Sequence, residues 1–391
     1  MRRTAEKMLL EGSASKDDEK AWKKTIENLV LDDSCGLPIA DLVKIVDMIF
    51  IRTTSRLGLI APYVDDDSVR EIMVNGPNDI FCEFEDGIRR IEEKFGSTEE
   101  LEDVIRSIAA GVHREINEMN PILDARLNDG SRVNAVYKNV AAGGPVLTVR
   151  KFSKERITIE QMIGSGTLTE EAAAFLEKLV KAGYNIFISG GTSSGKTTFL
   201  NALSDYIPSN ERVIIIEDSR ELWLPNIANL VQMECHGANA LGKGRVSMDM
   251  LIRTSLRMRP DRIIVGEIRG REVTDMLQAM NTGHDGSMST GHGNSVSGML
   301  RRLEAMYLMG SDIPMDSIRA QIVEGIDIMV HLERLEDGRR RVVEVQELIG
   351  VENGRYILVP LFSMNDSFEL VRTEEKLRNT VKLRRKGLSA A

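Results

Sequence analysis

The chain has 391 residues, 42% of them hydrophobic, and a formal net charge of −9, which suggests a folded protein of roughly two or three domains. The acidic balance argues against nucleic acid as the main partner, because a basic face normally supplies that affinity. No apolar run reaches the length of about 18 residues that a membrane span needs, and the N-terminus lacks the apolar core of a secretory signal. Three cysteines far apart form no Cys-x-x-Cys pair, so we expect neither a disulfide framework nor a zinc site in a cytosolic protein.

The chain divides by pattern into four regions. Residues 1–57 carry two helical patterns, AWKKTIENLVL and IADLVKIVDMIF, and form a predicted helical extension. Residues 58–152 place short strand-like pieces around one helix, with turns at NGPND, EDG and NDG, which predicts a small α+β domain. The polar stretch SKERIT, 153–158, is the predicted linker. Strands and helices alternate in residues 159–391 before an antiparallel meander, which predicts an α/β domain with a parallel sheet covered by helices.

A phosphate-binding loop follows the first strand of this last region. The stretch ISGGTSSGKTT satisfies G-x-x-x-x-G-K-[ST], with an apolar strand before it and a helical pattern after it, whereas a glycine-rich surface loop needs neither. Its N–H groups would form an anion cradle at a helix N-terminus. Lys196 would reach the β- and γ-phosphates of ATP and Thr197 would ligate Mg²⁺. The predicted nucleotide-binding residues are Gly190, Gly191, Thr192, Ser193, Ser194, Gly195, Lys196, Thr197 and Thr198.

Two further predicted strands end in carboxylates. RPDRIIVGEIRG places Glu267 just past a buried strand, and RVIIIEDSREL ends in Glu217 and Asp218. Ligands meet open parallel sheets at the carboxyl ends of the strands, so these side chains are candidates to orient the attacking water. An ordinary Walker B strand has Asp where this chain has Gly266, so Mg²⁺ is expected to depend on Thr197 and on water. The alternative is that each glutamate is a solvated charge at a strand end.

One helix after Glu267 comes the polar stretch NTGHDGSMSTGHGNS, in which Met288 is the only aliphatic residue. We predict a loop that approaches the γ-phosphate and carries His292. As a metal site it is weak, because its two histidines are eight residues apart and their one nearby carboxylate is Asp285. A plain flexible loop is the remaining alternative.

The order of these motifs resembles the secretion-superfamily ATPases of type II and type IV secretion and of type IV pili. That family carries a phosphate loop, an Asp box, a Walker B box ending in Gly-Glu, and a His box. Within it, the chain most resembles the CpaF-type traffic ATPases of tight-adherence (Tad) pilus systems. The stretches SVREIMVNGPNDIFCEFEDG and DARLNDGSRVNAV are similar to the N-terminal domain of that group, and the resemblance covers residues 45–370.

The resemblance implies a RecA-like P-loop ATPase domain with a smaller α+β N-terminal domain, assembled into a homo-hexamer. Such motors bind nucleotide between the domains and act peripherally on an inner-membrane platform protein, at the cytoplasmic face. Glu217 and Glu267 would then position or activate water, and His292 is the His-box histidine. The resemblance also implies that Arg132 and Arg150, in the N-terminal domain, reach the phosphates, although a surface salt bridge is the alternative for each.

The expected function is therefore Mg²⁺-dependent ATP hydrolysis that powers pilus assembly or secretion. A conjugative type IV secretion ATPase is the nearest rival. A DNA helicase on the same core is disfavoured by the acidic charge, and a scaffold without turnover is disfavoured by the intact motifs. The basic stretch KLRNTVKLRRKG, 376–387, is expected to be a solvated tail, or else a contact for anionic lipid or for a platform protein.

Overall fold

A computed structural model of the chain divides into two compact units, residues 1–154 and 155–391. It describes residues 19–32, 38–127, 129–152, 156–237 and 244–389. The start of the predicted helical extension and the first part of the predicted linker lie outside the described residues. None of the helices in the described part of the chain combines the length and the apolarity that a bilayer crossing requires.

The first unit consists of a helical pair followed by a sheet with one covered face. Its elements are α1 (Glu19–Asp32), α2 (Ile39–Thr54), a 3-10 turn (Gly58–Ile60), α3 (Ala61–Asp65), β1 (Glu71–Asn75), β2 (Ile80–Phe84), β3 (Gly87–Arg90), α4 (Thr98–Gly111), β4 (Ile122–Arg126), β5 (Arg132–Val136) and β6 (Val146–Arg150). Trp22 and Val46 pack α1 against α2, so both predicted helices are confirmed.

Among the described residues, six strands form an antiparallel sheet in the order β3-β2-β1-β6-β5-β4. Helix α4 is preceded by Ser97, whose side chain accepts the N–H of Glu100, as an N-cap serine does. It then buries Leu101 and Ile105 in the same core as Ile72 of β1. Because side chains alternate along a strand, this core occupies one face of the sheet and leaves polar residues on the other.

The second unit has the predicted α/β pattern. Its elements are α5 (Ile159–Gly164), α6 (Glu170–Ala182), β7 (Ile186–Gly190), α7 (Lys196–Leu203), a 3-10 turn (Ser204–Tyr206), β8 (Arg212–Glu217), β9 (Asn229–Glu234), α8 (Met248–Ser255), β10 (Arg262–Ile268), α9 (Val273–Asn281), β11 (Met288–His292), α10 (Val296–Leu308), α11 (Met315–Gly325), β12 (Ile328–Arg334), β13 (Arg340–Glu352), β14 (Arg355–Met364), β15 (Leu370–Arg372) and α12 (Val381–Arg385).

Nine strands of the described residues form one sheet in the order β15-β14-β13-β12-β7-β11-β10-β8-β9. The strands from β12 to β9 are parallel, while β12 to β15 are antiparallel neighbours. This is the predicted parallel sheet with a meander at one side. Alternate residues of β7 enter opposite cores, since Ile188 packs in one and Phe187 in the other. Helices cover both faces, so β7 is buried along its whole length.

The predicted polar loop at residues 281–295 contains a central strand, which corrects the sequence interpretation. β11 lies between β7 and β10, and Ser289 and Thr290 are fully buried in it. The small side chains are required there, because a Cβ at Gly291 would lie 2.7 Å from Met299 and 3.0 Å from Phe187. A strand in this position needs small residues rather than aliphatic ones, and its composition therefore resembled that of a loop.

The basic C-terminal stretch is also ordered against the second unit rather than simply solvated. Lys382 of α12 lies 2.7 Å from Asp285 and 2.7 Å from Asp327, and Leu383 is buried. Glu347 of β13 accepts the backbone N–H groups of Arg378 and Asn379. The stretch therefore helps to close the amino edge of the parallel sheet.

Candidate nucleotide-binding site

The phosphate loop connects β7 to α7, and its two glycines are needed for different reasons. A Cβ at Gly190 would lie 2.5 Å from the carbonyl oxygen of Leu332 on the adjacent strand β12. Gly195 precedes α7 with φ +92°, a backbone conformation that glycine adopts without a steric cost. These two positions let the chain leave the sheet and turn sharply into the helix whose first residue is Lys196.

The interior of the loop has groups that suit a phosphate. The hydroxyl of Ser194 is buried and has no hydrogen-bond partner among the described residues, which is unfavourable unless a ligand satisfies it. Nothing lies within 4 Å of the position that a Cβ at Gly191 would take, so a phosphate oxygen can approach the backbone there. Thr197 is partly exposed in the first turn of α7, where its hydroxyl can ligate Mg²⁺.

Lys196 is buried with its ammonium group held inside the loop. Its Nζ donates to the carbonyl oxygen of Gly191 at 2.8 Å and lies 3.2 Å from Nδ1 of His292. Burial lowers the pKa of Lys196, and Glu267 partly offsets this effect. A buried cation that is held by one carbonyl oxygen and one imidazole gains charge compensation when an anion enters the loop.

His292 connects the phosphate loop to the Walker B glutamate. It pairs with Gly190 across β11 and β7, which places its ring beside the loop. Burial, followed by the charge of Lys196, lowers its pKa, so the ring is neutral at pH 7 and its Nδ1 accepts from Lys196. Its Nε2 then carries the proton and lies 2.9 Å from Oε1 of Glu267. That oxygen is buried and makes no aligned hydrogen bond to a described residue.

Arg269 is a site residue that the sequence reasoning missed. It lies two residues after Glu267, and its guanidinium group donates to Oε2 of Glu267 at 2.7 Å and to Asp218 at 3.3 Å. The carboxylate of Glu267 is thereby fixed on one side by Arg269 and approached on the other by His292. The motif GEIRG contains this arginine, but spacing alone did not show which carboxylates it would contact.

Glu217 lies next to Glu267 in the sheet but is held differently. It ends β8 and is buried, and its Oε1 accepts the backbone N–H groups of Glu221 and Leu222. The register of β8 and β10 places it beside Gly266, where an added Cβ would lie 2.9 Å from the Glu217 side chain. The glycine in place of a Walker B aspartate is therefore the residue that makes room for Glu217.

A cavity of about 280 Å³ adjoins the phosphate loop within the second unit. Met162, Phe199 and Leu332 supply apolar walls, and Thr167 and Thr198 supply hydroxyl groups. Its position beside the first turn of α7 and its mixed lining suit a planar heterocycle that carries hydrogen-bonding groups. No single motif marked this cavity, because its walls come from distant parts of the chain.

The two predicted arginines of the first unit belong to a row of three. Arg126, Arg132 and Arg150 lie directly opposite one another on β4, β5 and β6, on the face away from the buried core. Arg126 donates to the carbonyl oxygen of Gly130, and Arg150 is exposed. Like charges directly opposite on neighbouring strands destabilise a sheet. Glu71 of β1 lies across from Arg150, and an anionic ligand beside this arginine row (Arg126, Arg132 and Arg150) would compensate its charge further.

Comparison with known proteins identifies the family of the chain. The family model described as "Type II/IV secretion system protein" matches residues 53–351. The probable conjugal transfer protein TrbB of Sinorhizobium fredii is 34% identical over 304 residues, covering 75% of this chain and 87% of that protein. The uncharacterized protein MJ0781 of Methanocaldococcus jannaschii is 43% identical over 247 residues, covering 61% of this chain but only 34% of that protein.

Among solved structures, the ATPase DotB of Legionella pneumophila matches with a TM-score of 0.53 and 23% identity, over 76% of this chain and 81% of that one. This likeness concerns the fold, and it agrees with the parallel sheet and phosphate loop of the second unit. The family match covers more than half of the 391 residues. The chain therefore belongs to the type II/IV secretion system protein family, and its second unit is an α/β domain with a RecA-like fold and a phosphate loop.

Proposed function

We propose that this chain is the subunit of a hexameric ring motor that hydrolyses ATP with Mg²⁺ to power pilus assembly or protein secretion. The observation that carries the proposal is the contact series from Lys196 through His292 to Glu267, at the carboxyl edge of three adjacent parallel strands. This series lies beside a phosphate loop whose buried Ser194 hydroxyl has no partner among the described residues. The binding place for an anion, the imidazole of His292 and the carboxylate of Glu267 therefore lie next to one another.

In the proposed mechanism the phosphates replace the Gly191 carbonyl oxygen as the main partner of Lys196. The loop N–H groups and Lys196 stabilise the charge of the β- and γ-phosphates. When bound, Mg²⁺ supplies further charge neutralisation at the Thr197 hydroxyl. Glu267 accepts a proton from water through Oε1 while the water oxygen bonds to the γ-phosphorus. The bond from that phosphorus to the bridging oxygen breaks, and the oxygen leaves with ADP.

The two glutamates are proposed to have different roles. Both Glu217 and Glu267 lie at the catalytic edge, but Oε1 of Glu217 already accepts two backbone N–H groups. Those two bonds occupy this oxygen, whereas Oε1 of Glu267 makes no aligned hydrogen bond to a described residue. We therefore assign proton transfer to Glu267 and assign to Glu217 the positioning of the segment that follows β8.

The arginine row of the first unit is proposed to stabilise the phosphates in the assembled ring, with Arg132 and Arg150 as its main members. The strand register, which places three arginines side by side on one face, supports this assignment. Arginines that complete a phosphoryl-transfer site contribute about 10³ to 10⁵ in rate. In Arg150→Ala we therefore expect at least a hundredfold loss of turnover with much less effect on ATP affinity, measured by phosphate release with the oligomeric state checked by light scattering.

Two secretion machines fit this motor. The upstream stretches that resemble CpaF-type ATPases favour a Tad pilus, where the partner would be an inner-membrane platform protein. The similarity to TrbB over most of its length favours a conjugal transfer system instead. In either case we propose peripheral association with the cytoplasmic face of the membrane. A DNA motor is not favoured, because the net charge is −9.

Phosphate release by the purified chain tests the proposed activity. The wild type should release phosphate from ATP only when Mg²⁺ is present, and added single-stranded DNA should not stimulate the rate. Lys196→Ala removes the cation that contacts the phosphates, and should abolish turnover and weaken ATP binding. Near-normal turnover in Lys196→Ala would contradict the assignment of the phosphate loop, and stimulation by DNA would favour the helicase alternative.

A deletion of the gene in its own host distinguishes the two machines. Loss of surface pili without loss of plasmid transfer would support the Tad assignment, and the reverse result would support the conjugal one. Complementation with Lys196→Ala should fail in the affected assay, because the motor requires hydrolysis. Rescue by that variant would show that the chain acts as a scaffold.

A further inference from the structure

Arg340, the first residue of β13, lies against the phosphate loop although it is far from it in sequence. Its Nε donates to the carbonyl oxygen of Ser193 at 3.1 Å. Its side-chain Cδ lies 3.1 Å from the position that a Cβ at Gly195 would take. The turn between β12 and β13 therefore covers the part of the loop that runs from Ser193 to Gly195.

The hydrogen bond from Arg340 fixes the direction of one peptide group in the loop. In a planar trans peptide the C=O of Ser193 and the N–H of Ser194 point in opposite directions. With the carbonyl oxygen directed outward to Arg340, the N–H of Ser194 points away from Arg340. The N–H of Ser194 is then left free for the phosphate.

The backbone of Ser193, at the start of the same peptide, has an unfavourable conformation. Ser193 has φ +58°, the left-handed region that L residues other than glycine seldom adopt. If the peptide rotated, the carbonyl oxygen of Ser193 would face the negatively charged phosphate. An external donor on that oxygen is therefore what keeps the loop in its anion-binding form.

We propose that Arg340 is a positioning residue that holds the Ser193–Ser194 peptide in its phosphate-binding orientation. This inference rests on the proposed nucleotide site, and it assigns to the β12–β13 turn a role in nucleotide affinity. A surface arginine with no role would more often pair with a carboxylate, as the neighbouring Arg339 does with Asp337. In the described residues the hydrogen bond of Arg340 goes instead to the loop.

The test compares variants of Arg340 with a matched variant at the facing position of the same strand pair. Arg334 lies directly across from Arg340 in the register of β12 and β13 and is exposed. Binding of a fluorescent ADP analogue and steady-state ATP hydrolysis would be measured in the full chain for the wild type, Arg340→Ala, Arg340→Lys and Arg334→Ala. Thermal unfolding of each variant shows whether it is folded.

We expect Arg340→Ala to weaken ADP binding and to raise the KM for ATP about tenfold, as befits the loss of one charge-assisted hydrogen bond. The kcat at saturating ATP should stay within about twofold of the wild type, because the bound phosphates themselves hold the phosphate loop in its binding conformation. Arg340→Lys should recover part of the affinity, and Arg334→Ala should match the wild type. A general loss of structure would instead lower kcat and the unfolding temperature together.

Two results would overturn the inference while leaving the proposed function intact. One is ADP binding in folded Arg340→Ala that equals the wild type, and the other is an equal loss of affinity in Arg334→Ala. If Arg340→Ala does not fold, Arg340→Lys decides the matter: reduced ADP affinity at wild-type stability supports the inference, and wild-type ADP affinity overturns it. A wild-type chain that binds no ADP analogue contradicts the proposed function itself, and the inference falls with it.

Discussion

The two edges of the parallel sheet in the second unit hold polar groups in opposite ways. At the amino edge, Asp327 accepts the N–H of Asn185 and pairs with Lys382, while the side chain of Asn185 bonds to the backbone of Gly286, Ser287 and Gly325. At the carboxyl edge, the Ser194 hydroxyl and Oε1 of Glu267 are buried without a hydrogen bond from a described residue.

This difference separates polar groups that stabilise the fold from those that bind a substrate. A satisfied buried network makes a structure rigid and specific, whereas an unsatisfied one is unfavourable in the free protein. The amino edge ties the starts of β7, β11 and β12 together, so the strands that carry the phosphate loop and His292 arrive at the other edge in a fixed register. Variants at the two edges should therefore differ in kind, with losses of turnover at one and losses of stability at the other.

The largest expected effect is at the carboxyl edge, in Glu267→Gln. The amide keeps the size of the side chain and a contact with Arg269, but it is a poor proton acceptor. We expect turnover to fall about a thousandfold with ATP affinity nearly unchanged, within the range known for loss of a general base. Phosphate release and ADP-analogue binding would be measured on the same preparation. A tenfold loss of affinity with intact turnover at saturation would instead place Glu267 in binding.

The next effect is at the amino edge, in Asp327→Ala. This change leaves Lys382 without one of its two carboxylate partners and removes the acceptor of the Asn185 N–H. Breaking a buried pair from one side costs about 3 kcal/mol of unfolding free energy, and the kcat of the folded variant should stay close to the wild type. Denaturant unfolding measures the first quantity and phosphate release the second. A large loss of kcat without a loss of stability would remove the distinction between the two edges.

A smaller effect should follow from pH, through His331 on β12. This ring is buried beside the phosphate loop, its Nδ1 lies 2.8 Å from the Ser189 hydroxyl, and burial lowers its pKa to about 4. The unfolded chain binds a proton near pH 6.5 and the folded chain does not, so stability falls as the pH drops from about 6.5 toward 4. The contribution is about 2 kcal/mol between pH 7.5 and pH 5. His331→Gln should flatten that part of the unfolding profile, and an unchanged slope would contradict the assignment.

The sequence predicted those parts of the site whose determinants are local. The spacing from Gly190 to Thr197 defines a phosphate loop by itself, and the strand before it and the helix after it were present as expected. Glu267 was predicted for the same reason, from the apolar strand before it, although it lies within β10 rather than just past it, since the strand runs to Ile268. The alternation of strands and helices was likewise enough for the parallel sheet, since each element has its own period of apolar residues.

What the sequence did not show depends on contacts between distant residues. β11 is a strand because Met299 and Phe187 pack closely against Gly291. Its own residues are small and polar, so its sequence has no repeat of apolar residues that would indicate a strand. Arg340 contacts Ser193 across 147 residues of sequence, and its neighbours in the sequence are equally basic. The docking of Lys382 requires Asp327, which the chain brings to the same edge only when the sheet has formed.

The smallest of these effects is expected for His292→Ala, and it tests how the carboxyl edge works as a unit. His292 is neutral at pH 7 because burial and the nearby Lys196 lower its pKa, so it bridges Lys196 and Glu267 without adding charge. Removing it leaves both groups in place but loosens each, and we expect about a tenfold loss of kcat, equal to about 1.4 kcal/mol. ATP affinity should change little, because the phosphate binds Lys196 directly.

The matched control is His284→Ala, in the same polar stretch, whose ring contacts the carbonyl oxygen of Ala279 instead. Phosphate release should separate the two variants at saturating ATP. Equal turnover in both would show that Lys196 and Glu267 are held without the imidazole, and that the contacts of His292 are a consequence of the register of β11.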